Sequence, residues 1–198
     1  MKRSLLQQAL SACVFLCSAA AHAQQPVPFY TAEHAVAGLH RTHTVPRAQA
    51  FALAAPDLSS ALARHCAGPA ALGQARDAWV KTALAWESLA AVSVGPLVER
   101  RSLRSIDFQP LRPDLLKRMM ARQPRNLDDM QRVGTPAKGL PALEHLLWSA
   151  PVEPGTPGCT YAVLAAQEVQ DEANALRDAF NALASAPLDA TDAGTAFA

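Results

Sequence analysis

Residues 70–94 limit the possible folds most. Leu72, Trp79, Trp86 and Ser93 recur every seven residues, and Ala75, Ala83 and Ala90 fill the same stripe. Side chains at that spacing line one face of an α-helix. A stripe carrying two tryptophans needs a broad apolar partner, so this helix must pack against others. Trp79 and Trp86 stand two turns apart and read as core anchors rather than as a ligand box. Gly95 and Pro96 end the helix.

The rest of the chain repeats that grammar. Phe51, Ala55, Leu58, Leu62 and Cys66 predict a helix over 46–67, bent or broken at Pro56. Leu115, Leu116, Met119 and Met120 predict a short helix over 113–121. Tyr161, Ala165, Val169, Ala173, Leu176, Phe180 and Leu183 predict a long one over 161–184, capped by Thr160. Glu168, Asp171, Glu172, Arg177 and Asp178 fall off that last stripe, towards water. No segment alternates as a strand would. The expectation is an all-α, up-and-down helical bundle over residues 46–184, with a frayed tail over 185–198.

The N-terminal residues read as an export signal. Lys2 and Arg3 precede a mostly apolar run, and Ala21, His22 and Ala23 form an A-x-A cleavage site, so residues 1–23 are expected to be removed. The run is too short and interrupted to span a membrane. Phe15 and Leu16 stand before Cys17 where a lipidation box needs small residues, which argues against a lipid anchor and for a periplasmic protein. Cys13 and Cys17 leave with the signal. Cys66 and Cys159 remain, and in an oxidising compartment they are expected to form one disulfide.

Chemistry concentrates at residues 134–148. A Gly- and Pro-rich loop leads to Pro141, which suits the first turn of a helix. Leu143, Leu146 and Leu147 share a face, and Glu144 and His145 follow Pro141 as the ionisable pair of that helix. An inward-facing Glu144 is expected beside so apolar a face.

This stretch resembles the signature of the imelysin family, also known as peptidase M75, whose members carry Gly-x-His-x-x-Glu. Gly139 and Glu144 match, and Pro141 stands where the family has His. Arg76 and Trp79, then Trp86 and Glu87, then Gly95 and Pro96, are similar to the family's Arg-x-x-Trp helix. Arg104, Ile106, Asp107, Phe108 and Pro110 resemble its Arg-x-Ile-Asp-aromatic-x-Pro element, and Arg104 and Asp107 are expected to pair. The resemblance implies paired four-helix bundles, of which this chain spans the first. It also implies an envelope protein of iron uptake, with iron or another divalent metal as candidate cofactor and Glu144 as the candidate ligand carried by the motif; His145, adjacent to it, and Asp107, from another helix, are further candidates.

Two other stretches are weighed. Residues 24–45 hold Glu33, His40 and His43 at helical spacing, which suits a metal site, but a loosely held terminus is the plainer expectation. Residues 99–138 are rich in Arg and Lys, yet lack the interleaved aromatics that nucleic acid binding wants, and the whole chain carries a net charge of only +1. His-Glu-x-x-His, a phosphate-cradling Gly loop and Gly-x-Ser-x-Gly are all missing from the sequence. The expected function is a non-catalytic periplasmic component of metal uptake that binds metal or a partner. A metallopeptidase and a structural envelope module are the alternatives. An apolar face left open by a missing second bundle would favour a homodimer.

Overall fold

The computed structural model describes residues 30–68 and 72–186. The expected signal segment and almost all of the expected tail lie outside them. The chain divides into two units, residues 1–31 and residues 32–198, and the architecture is that of the second. Among the described residues every regular element is helical, as the apolar spacing requires.

Three long helices form the frame: α2 (Val45–Ala67), α3 (Leu72–Ala90) and α9 (Pro157–Ser185), with α2 packed between α3 and α9. Short helices complete the bundle: α4 (Pro96–Glu99), α5 (Ser102–Ile106), α6 (Pro113–Ala121), α7 (Leu127–Gln131) and α8 (Gly139–Glu144). Of these, α8 packs on both α3 and α9. The core is aliphatic with a few large rings. Trp86 is 1% exposed, and its ring lies 5.4 Å from that of Phe51. Burying an aromatic pair of this kind contributes about 1 kcal/mol beyond its area.

Some elements depart from the expected bounds. Helix α2 runs unbroken through Pro56. The missing N–H costs one bond, but the flanking Ala55 and Leu58 are fully buried and hold the helix in place. Helix α9 begins near Pro157, ahead of Thr160, because Thr156 caps it by accepting the Cys159 N–H at 3.4 Å. Within α3 the buried face is Ala75, Ala78, Thr82, Ala83, Trp86 and Leu89, so Trp79 sits at its edge, half-buried.

The terminal segment is ordered earlier than expected. Helix α1 (Ala32–Leu39) passes through a π-helical turn, His40–Thr44, directly into α2. The wider turn places His40 and Thr44 inside, with His40 Nδ1 3.0 Å from Thr44 Oγ1 and the imidazole 6.4 Å from the Phe180 ring. Glu33 and His43 are half-buried, while His40 is buried.

Cys66 and Cys159 are joined, with Cα atoms 5.5 Å apart across a sequence separation of 93. The bond ties the end of α2 to the start of α9. His65, beside it, reaches the Val152 carbonyl with Nε2 at 3.0 Å.

Candidate functional site

The segment from Gly139 to Ser149 is gripped on two sides. Gly139 takes φ +75°, a left-handed conformation that suits glycine, and its Cα lies against α5. A Cβ there would meet the Ile106 carbonyl carbon at 2.9 Å and the Ser105 oxygen at 3.0 Å. Residues Gly139 to Leu143 are buried without a break, including Pro141. Helix α3 holds the opposite side. The Trp79 indole N–H donates to the Leu140 carbonyl at 3.0 Å, and Arg76 donates from Nε and Nη2 to the Leu147 carbonyl at 3.0 and 2.8 Å.

That last acceptor lies in the final turn of the helix, where carbonyls lack intrahelical partners, and α8 there widens into a π-helical turn, His145–Ser149. Single π turns displace backbone carbonyls from the regular ladder and recur at functional sites. The turn also presents Trp148, 40% exposed. Its ring stands edge-on to Trp79 at 5.2 Å, with the Arg76 guanidinium 5.6 Å from its centroid.

Glu144 is exposed at the outer end of α8, contrary to the expected inward orientation. The run of five buried residues before it leaves position 144 as the outward one. His145 is half-buried. Neither side chain makes a hydrogen bond or ion pair among the described residues. Asp107 accepts from Gln109 Nε2 at 3.2 Å, and Arg104 lies 5.7 Å over the Phe108 ring, so the expected Arg104–Asp107 pair is not formed. The backbone leaves the helix at Asp107, with φ −137° and ψ 56°, which breaks the three-residue spacing such a pair needs. Trp86 belongs to the core and Glu87 to the surface.

The inner side of Gly139 opens on a cleft of about 420 Å³ between α5, α7, α8 and α9. Two ion pairs line it. Lys138 Nζ contacts Glu168 Oε1 at 2.8 Å and also the Met130 carbonyl at 3.2 Å. Arg100 binds Glu172 through Nε at 3.0 Å and Nη2 at 2.7 Å, and Ser102 Oγ donates to Glu172 Oε1 at 2.6 Å. Glu168 Oε2 is buried without a partner. Below, the Tyr161 hydroxyl donates to the Ala137 carbonyl, and burial, aided by the Glu168 charge, pushes the phenol far above its ordinary range. These residues escaped the sequence reading, which placed Glu168 and Glu172 towards water. A usable signal was their spacing: positions 168, 172 and 176 share a helical face that ends on buried Leu176.

The model of the imelysin family, peptidase M75, matches residues 44–196. The chain belongs to the imelysin family. Among solved structures, an imelysin-like protein from Psychrobacter arcticum 273-4 superposes with a TM-score of 0.66 at 20% identity. The match covers 78% of this chain and 52% of that one, so this imelysin spans about half the length of the relative, and the likeness is one of fold. No curated protein matches the chain.

Among its described residues, no group of three or more His, Cys, Asp or Glu side chains comes together to hold an ion. Glu144 and His145 are adjacent, so they point about 100° apart on a helix. A catalytic metal with three protein ligands would need such a group. Among the same residues no helix is long and apolar enough to cross a membrane.

Proposed function

We propose that this imelysin is an exported, non-catalytic periplasmic protein that serves iron or other metal uptake by binding, with the outer face of α8 and its π turn as the contact surface. The observation that carries this reading is the contrast between buried Pro141 and exposed Glu144. Where the family motif has His, this chain has a side chain with no donor atom. Glu144 is left with His145 as its nearest ionisable neighbour in sequence. Hydrolytic metal chemistry needs three protein ligands and an open position for water. The exposed Trp148, four residues after Glu144, with Trp79 and Arg76 against its ring, instead has the composition of a contact hot spot, which favours Trp and Arg.

Growth of a strain lacking this gene tests the reading. Under iron limitation it should grow more slowly, and the wild-type gene should restore growth while Trp148→Ala and Glu144→Ala restore it incompletely. Unchanged growth in the deletion strain sinks the uptake role. Peptide hydrolysis by the purified chain, abolished by a chelator and by Glu144→Ala, would replace it with the metallopeptidase reading.

A further inference from the structure

Charge is spread unevenly along this chain. Residues 99–138 hold ten basic residues against five acidic ones, although the net charge of the whole is +1. Arg100 and Lys138 are consumed by Glu172 and Glu168, and Arg104 rests on Phe108. Three others converge on a second cleft, of about 680 Å³, where α6 turns into α7. Met119, Pro124 and Val133 are buried and form its floor, and Arg122, Arg125 and Arg132 stand on its lining.

The lining holds one carboxylate, Asp129, which is already engaged. It accepts the Arg125 backbone N–H at 3.0 Å and lies 3.5 Å from the Arg132 guanidinium. The guanidinium groups of Arg122 and Arg125 make no hydrogen bond or ion pair among the described residues. The cleft thus keeps a surplus of two positive charges. Its backbone is held in place: Gln123 adopts φ +52°, unusual for a residue with a Cβ, and Asn126 caps α7 by accepting the Asp129 N–H at 2.9 Å.

The plain account is that Arg122 and Arg132 each follow a short helix, where a cation complements the negative helix end. That explains two charges separately. It does not explain why three guanidiniums share one concave surface in which a single carboxylate is already occupied. Guanidiniums present planar forks of donors matched to carboxylate and phosphate oxygens.

We propose that this cleft binds a small multivalent oxyanion of the polycarboxylate or phosphate class. Arg122 and Arg125 supply the free forks, Arg132 adds a third while Asp129 holds its position, and the apolar floor lowers the local dielectric. The site is independent of the role assigned to Glu144.

Calorimetric titration of the purified chain with citrate and with inorganic phosphate, at low ionic strength, tests it. Citrate should bind one to one, and more tightly than acetate. Arg122→Gln and Arg125→Gln should each weaken it about tenfold or more, while Arg47→Gln, outside the cleft, should not. Circular dichroism of each variant confirms that the fold is kept. The proposal is overturned by the lack of citrate or phosphate binding at ~10 mM, or by binding that the cleft variants leave unchanged. A source in the membrane is separated by co-sedimentation with phosphatidylglycerol vesicles. Binding to vesicles without binding to free citrate or phosphate would assign the arginines to a lipid surface and overturn a site for small anions.

Discussion

The Cα of Gly139 lies against the backbone of Ile106, close enough that a Cβ would stand 2.9 Å from its carbonyl carbon. This contact fixes α8 to α5, and through them the outer face to the inner cleft. Gly139→Ala adds both a steric clash with unyielding backbone and a left-handed φ that Ala rarely adopts. The variant should lose about 2–4 kcal/mol in urea unfolding. Gly73→Ala is the control: nothing lies within 4 Å of its Cβ position in α3, so it should be neutral or slightly stabilising. Equal unfolding midpoints for Gly139→Ala and wild type would contradict the packing described.

Tyr161 gives a signature at alkaline pH. Its hydroxyl is buried against the Ala137 carbonyl, and burial first, then the Glu168 charge, raise its pKa above the unfolded value of about 10. With the folded pKa raised, the stabilisation is complete below pH ~10 and is lost as pH rises beyond it. Wild type should lose stability above that point with a slope approaching about 1.4 kcal/mol per pH unit from this group. Tyr161→Phe should remove that slope and cost about 1–2 kcal/mol at neutral pH. Urea curves from pH 8 to 11 make the comparison. A slope unchanged in the Phe variant would place the titration elsewhere.

The π-helical turn predicts the opposite response in acid. Burial lowers the pKa of His40, and burial followed by the nearby Arg47 charge lowers that of His43. Both imidazoles are therefore favoured neutral in the folded chain. Their contribution is full above the unfolded pKa of about 6.5 and is lost as pH falls through the lowered folded values. The urea midpoint should drop between pH 7.5 and pH 5.5, and His40→Gln should show a smaller drop. Parallel pH profiles for the two proteins would refute a role for His40.

Much of this fold was legible because long helices announce themselves through apolar spacing. Trp86, Leu58, Leu62, Leu176 and Phe180 all fall on the stripes that buried them. The Cys66–Cys159 bond followed from the two cysteines that remain once the expected export signal is set aside. The turn at His40 was not legible, since it buries polar His and Thr at a period that is not 3.6. Glu144 was misplaced because three leucines set a phase without revealing that Gly139 to Leu143 would be enclosed on every side. The inner cleft was hidden for a different reason. Lys138 meets Glu168 and Arg100 meets Glu172 across 30 and 72 residues, and only the packing of α9 beneath α5 and α8 brings them together.

Arg76 supplies the sharpest test of the outer face. Its guanidinium donates twice to the Leu147 carbonyl while lying beside the Trp148 ring. Lysine cannot reproduce this, because a single ammonium lacks the planar fork that points two donors at one oxygen and stacks at the same time. Losing the fork leaves a displaced carbonyl of the π turn short of a partner and frees Trp148 to reorient. Arg76→Lys should therefore cost about 1–2 kcal/mol and Arg76→Ala about 2–3 kcal/mol. Tryptophan emission provides an independent readout. Trp86 is buried and should report little, so a red shift in Arg76→Ala that disappears in Arg76→Ala with Trp148→Phe assigns the change to Trp148. A Lys variant with the stability and emission of wild type would mean that charge alone holds the turn, and that the bidentate contact is incidental.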